Sequence, residues 1–245
     1  MSAQLSTANA ISLEKELAWF SSVLDTRIAL YFEHDTSEGE EEKVFDSVEA
    51  IPLPDLSNDG SAYGSIVSDL NLEFDERILL ALTLVPHIRP DLLDLLFTRN
   101  KNFDRGFTQF GGWKGESHGG FIPTCETAAF IVAGNDLSKR FKLLSYFEGD
   151  GILIKNNILT LEHKSSGEPF MSAAVRVNNE YLNRLTSGIY QKPDYSMNFP
   201  AKLITTKLTW DDLVLPMEVQ EEIENIITWI KNSKVILEDL SLIHI

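Results

Sequence analysis

The chain has 245 residues, 43% of them hydrophobic and 24% charged. That balance excludes collagen-like, low-complexity and wholly disordered classes and leaves one large domain or two small ones. No apolar run approaches the roughly 20 residues of a membrane span, and the N-terminus, MSAQLSTANA, has neither the basic nor the apolar region of a secretory signal. A single cysteine, Cys125, rules out an internal disulfide and fits a reducing, cytoplasmic setting. The net charge of −16 is uneven: residues 33–76 hold 14 acids against one base, Lys43, and the remainder 23 acids against 20 bases. Such acidity repels phosphates and argues against nonspecific nucleic-acid or anionic-membrane binding.

In chain order, residues 12–32 predict a helix. Leu13, Leu17, Phe20, Leu24, Ile28 and Tyr31 recur at steps of three and four, and Ser12 is a candidate N-cap. Residues 33–73, with the run Glu-Gly-Glu-Glu-Glu at 38–42, read as an acidic flexible linker that leaves the first helix as a separate, outlying element. From 74 to 188 the pattern is mainly helical. Residues 75–85 form a buried helix stopped by Pro86, 91–97 a short one after Pro90, 124–133 a third closed by Gly134, and 137–147 a fourth. The period then becomes strand-like: 152–155 and 158–161 flank Asn156-Asn157 as a hairpin, 170–177 is a further strand, and Asn178 or Asn179 caps a short helix ending at Gly188. Residues 189–234 make a connector. It contains a capping box at 209–212 and a helix over 216–232 with the stripe Val219, Ile223, Ile226 and Ile230. The fold class is therefore α+β, mainly helical with a small β-hairpin. Helices followed by a hairpin is the order of a winged helix-turn-helix.

Few motifs carry chemistry. Residues 99–121 contain six of the 14 glycines together with Arg99, Lys101, Arg105 and Lys114. The gap from Gly106 to Gly111 matches a phosphate-binding loop, but Gly112-Trp113 stand where Lys-Ser/Thr must be and Lys114 is two residues late. The glycines read instead as permitting turns and close packing around Phe107, Phe110 and Trp113. Cys125 and His118 are the one thiol–imidazole pairing to weigh, with no third orienting group, and Cys125 sits in an apolar run typical of core. The five histidines (34, 87, 118, 163, 244) have no metal-ligand spacing. If the domain is winged, the helix at 124–133 would be the reading helix. It lacks Lys, Arg, Asn and Gln and carries Glu126, so a protein partner fits better than nucleic acid.

The stretches Asn102-Phe-Asp-Arg-Gly-Phe-Thr-Gln-Phe-Gly-Gly112, Gly120-Phe-Ile-Pro-Thr-Cys-Glu-Thr-Ala-Ala-Phe130, Phe199-Pro-Ala-Lys-Leu-Ile-Thr-Thr206 and Trp210-Asp-Asp-Leu-Val-Leu215 resemble a known region. It is the variant winged-helix region of bacterial AAA+ ATPases encoded with phage-tail-like extracellular contractile injection systems. The resemblance spans about residues 13–231. It implies a non-catalytic N-terminal adaptor that recognises a protein partner or substrate for an ATPase ring. ATP and Mg would belong to a C-terminal module beyond this chain, and no catalytic, cofactor-binding or metal-binding residue can be carried over. The alternatives are a standalone winged-helix DNA-binding regulator and a small hydrolase using Cys125. The ending Leu240-Ser-Leu-Ile-His-Ile245 resembles the translation of a transposon end used in sequencing adapters, so 235–245 is expected to be a disordered or foreign tail on a truncated frame.

Overall fold

The computed structural model describes residues 2–33, 46–56, 59–102, 104–115, 117–149, 151–165, 167–189 and 214–232. The chain divides into two units, 1–191 and 192–245. The expected capping box at 209–212, most of the acidic run at 33–45 and the tail at 235–245 lie outside the described residues.

The first helix, α1 (Ser2–Glu33), begins ten residues before the predicted start. Its opening turns are rich in Ala and contain neither Gly nor Pro, so nothing interrupts helical propagation. Ser12 is accordingly not a cap. It lies inside the helix and donates its hydroxyl to the Ala8 carbonyl at 3.0 Å and to the Asp59 carboxylate. Nor is α1 an outlying element. Leu13, Leu17, Trp19, Phe20, Val23 and Leu24 are buried in the common core.

Polar side chains on α1 reach the ends of other elements. The Asn9 amide donates to the carbonyls of Arg184 and Thr186, at the end of α7 (Asn179–Leu185), and accepts from the Ala62 N–H that opens α2 (Ala62–Asp69). Arg27 donates to the carbonyls of Ile131 and Val132 at 2.8 and 3.1 Å, in the last turn of α4 (Cys125–Ala133). These are carbonyls with no intrahelical partner, and a cation at a helix C-terminus also meets the helix dipole favourably. Gly134 must stay bare here: a Cβ would stand 2.5 Å from an Arg27 amino nitrogen.

The strongest tie is Glu16 to Arg77 of α3 (Phe74–Ile88). Both side chains are sealed from water, at 0% and 6% exposure. Tyr63 on α2 donates to the same carboxylate at 3.0 Å, and Arg77 also reaches the Pro54 carbonyl at 3.1 Å. The Arg77 guanidinium lies over the Trp19 ring, which meets Phe74 edge-on. The pair keeps the Arg77 pKa raised despite burial, and burial beside Glu16 raises that of Tyr63.

The described part of the expected linker is likewise folded. Val48 in a 3₁₀ turn (Val48–Ala50), Ile51 and Leu56 in the irregular segment after it, and Tyr63 and Ile66 in α2 are buried. Several acids of this segment take specific partners there. Glu73 and Glu76 form the capping box of α3, and Asp59 accepts the Ser61 N–H at 3.0 Å.

Beyond α2 the predicted helices hold. α3 runs to Ile88, past Pro86, and is buried on both faces. The 90–97 segment is a 3₁₀ helix. α4 is capped by Thr124 and followed by α5 (Leu137–Tyr146), capped by Asp136. The hairpin differs from expectation. Residues Ile152–Lys155 form a helical turn, α6, closed by Asn157 in the left-handed region (φ 54°), so the Asn-Asn pair is a helix stop and not a hairpin turn. The antiparallel hairpin is β5 (Leu159–Glu162) with β6 (Ala174–Val177), in the register Leu159↔Val177 to Glu162↔Ala174. On the other edge of β6, Thr124 bridges Ala174, and Val175 N–H donates to the Pro123 carbonyl at 3.0 Å. Asn178 caps α7. The described fold is thus a mostly helical domain with small antiparallel hairpins. In the second unit α8 (Met217–Lys231) stands where predicted, with Val219, Ile226, Trp229 and Ile230 exposed.

Removing one partner of a sealed ion pair leaves an uncompensated buried charge. Glu16→Ala should therefore cost about 3–5 kcal/mol, read as a lower urea midpoint at unchanged slope. A midpoint equal to the native one would contradict the integration of α1.

Candidate functional site

The glycine-rich loop folds as two short antiparallel ladders, β1 (Arg99–Asn100) with β2 (Arg105–Gly106) and β3 (Trp113–Lys114) with β4 (Phe121–Ile122). Between them Phe110 is buried, its ring 4.6 Å from that of Phe130 and 5.0 Å from that of Phe107. Thr127 donates to the Phe110 carbonyl at 2.8 Å, and the Gly112 N–H donates to the Thr124 hydroxyl at 3.1 Å. Gly112 has φ +81°, and a Cβ there would stand 2.0 Å from the Phe121 ring. Gly111 and Gly112 serve close packing, as the sequence implied for the loop, whereas Gly106 and Gly119 face open space.

The loop forms one wall of a cleft of about 750 Å³, with the first turn of α4, Arg140 of α5 and the segment leading into β6 as the others. Arg140 and Glu126 meet in it as a two-pronged pair, 27% and 20% exposed, which raises the arginine pKa through the Glu126 hydrogen bonds. Across the cleft the Lys164 ammonium sits 4.5 Å from the centre of the Trp113 ring.

α5 is the outward-facing helix beside this cleft. Each of its cations is matched to an acid from elsewhere in the chain: Lys139 to Glu49, Arg140 to Glu126, and Lys142 to Asp75 at 3.0 Å. The Lys142 pKa is raised by its hydrogen bonds with Tyr146 and Asp75. Between these pairs Leu137 and Phe141, one turn apart, are each 63% exposed. α4 cannot read a ligand, because eight of its nine residues are buried. The surface helix that follows α4 is α5. The sequence signal that marks it is the spacing of Leu137 and Phe141 among Lys139, Arg140 and Lys142.

The thiol–imidazole pairing is not assembled. Cys125 is fully buried, and burial pushes its thiol up to about 12, the reverse of what a helix N-terminus does for an exposed thiolate. His118 is exposed and lines a separate hollow that does not include Cys125. Among the described residues no cluster of three or more His, Cys, Asp or Glu side chains could hold a metal, and no helix is long and apolar enough to cross a membrane.

No family model, no curated protein and no solved structure matches the chain.

With a pKa of about 12, Cys125 is protonated at pH 8, with about one thiol in ten thousand ionised. The native chain should not react with a disulfide reagent over minutes and should react stoichiometrically once denatured. Stoichiometric labelling of the folded chain would restore the reactive-thiol reading.

Proposed function

We propose that the chain is a non-catalytic protein-recognition module of winged-helix type, the adaptor region of an AAA+ ATPase, and that α5 with the adjoining cleft receives the partner. The order α3, α4, α5 and the β5–β6 hairpin, with the glycine-rich ladders inserted between α3 and α4 and the helical turn α6 before the hairpin, supports the winged arrangement. The sequence resemblance supports the ATPase context, in which ATP and Mg act in the C-terminal module and the present chain selects what the ring remodels.

One observation carries the reading. The cations of α5 are spent on acids of the same chain, whereas Leu137 and Phe141 stand in solvent without cover. A helix so arranged offers little to a phosphate backbone and a good apolar anchor to a protein groove. The DNA-regulator alternative draws on the same three cations, and their internal pairing weakens it.

A photo-crosslinking residue at position 141, introduced in cells, should yield discrete protein adducts that disappear when Leu137 is changed to Asp. The same residue at Ile11, an exposed apolar site on α1, should yield none. Adducts to nucleic acid, or none at 141, would overturn the proposal.

A further inference from the structure

None of the 15 residues of α8 is buried. Ile226, Trp229 and Ile230 are 59%, 57% and 66% exposed, and Ile223 and Ile227 are half-buried. A helix of this length is marginal in water by itself, and most helices in proteins take their stability from packing an apolar face. The apolar face of α8 therefore calls for cover.

The spacing indicates what covers it. Val219, Ile223, Ile226 and Ile230 follow one another at steps of four, three and four, the alternating d and a positions of two heptads. In that frame Glu218, Glu221, Glu224, Asn225, Thr228 and Lys231 all occupy b, c or f, on the side away from the seam. The apolar exception on that side is Met217, in the first turn. A basic partner would be drawn by acids at e and g, where ion pairs between helices form. Those positions hold Gln220, Glu222, Ile227 and Trp229, so one acid of the four borders the seam. A second copy of the same face meets it with little opposing charge.

The residue types also bear on the number of copies. β-branched side chains at both a and d favour three or four strands over two. The width of the face agrees. A pair of helices would cover the row of four and leave Ile227 and Trp229 in water, whereas three or more copies enclose the e and g positions as well.

We infer that α8 is a self-association helix that joins three or four copies of this chain through Val219, Ile223, Ile226 and Ile230, with Ile227 and Trp229 on the flanks. The seam is two heptads long, so the assembly is weak and forms as concentration rises. Glu218, Glu221, Glu222 and Glu224 of neighbouring copies repel one another, and salt screens that repulsion. Association therefore strengthens with ionic strength, the reverse of docking on a basic partner. It does not depend on the role proposed for α5.

Sedimentation equilibrium of the full chain tests this, from about 10 to about 500 µM, a range that reads dissociation constants between micromolar and millimolar. The weight-average mass should climb from one chain toward three or four, and further at about 0.5 M salt than at about 0.05 M. Ile226→Asp should weaken association at least about tenfold, because a carboxylate in the seam loses its hydration unpaired. Val219→Leu/Ile226→Leu, which places Leu at d opposite Ile at a, should lower the limit to two copies. Thr228→Asp on the outer face and Leu137→Asp on α5 should leave the native behaviour unchanged. A single-chain mass at the highest concentration, a limit of two in the native chain, native association in Ile226→Asp, an unchanged limit in the double Leu variant, or loss of association in Leu137→Asp would each overturn the assignment.

Discussion

The ion pair of Glu16 with Arg77, closed off from water, fixes the arrangement of the first unit. Burying two charges is costly, and attraction alone rarely offsets the lost hydration. Here the remaining capacity of both groups is used, by the Tyr63 hydroxyl, the Pro54 carbonyl and the face of Trp19. Such a cluster is satisfied in one register only, so a shift of α1 by a single residue along α3 would strand it. The same helix reaches the ends of α2, α4 and α7 through Asn9 and Arg27. Three helix ends and one buried guanidinium thus depend on side chains from a single element.

The acidity of residues 33–76 takes on a different meaning in this light. Where the segment is described, five of its acids have named places: Glu49 on Lys139, Asp59 on Ser12 and the Ser61 N–H, Glu73 and Glu76 on the first turn of α3, Asp75 on Lys142. Asp59 and Glu49 both have lowered pKa values, because hydrogen bonds outweigh the burial that acts first to raise them. The surface pairs contribute little stability individually. Their consequence is electrostatic: they pair the three cations of α5, the exposed helix beside the cleft, with acids of the same chain.

Much of the fold could be read in residue order because the deciding interactions are local. The apolar stripe of 75–85, the Thr124 cap before 125–133, the Gly134 stop and the Asn178 cap all act within one or two turns. The errors arise where distant residues decide. Nothing local distinguishes Glu16 from a solvated helix acid, since its partners lie 47 and 61 residues away. Asn156-Asn157 suits a hairpin turn and a helix stop equally, and the helical turn of 152–155 settles it. In the candidate site, close packing at Gly111 and Gly112 was legible from the mixture of glycine and aromatic residues, although the groups they approach, Thr124 and Phe121, lie further along the chain. The disarming of α5 was not, because Glu49, Asp75 and Glu126 come from three separate segments.

Electrostatic disarming of α5 can be tested by undoing it. Fluorescence anisotropy of a labelled DNA duplex at low salt should show no binding by the native chain. It should show salt-sensitive binding by Glu49→Gln/Asp75→Asn/Glu126→Gln, which frees Lys139, Lys142 and Arg140. A control that neutralises Glu218, Glu221 and Glu222 of α8 makes the same change in net charge and should remain inert. Salt-sensitive duplex binding by the native chain, or an equal gain in the α8 control, would contradict the account.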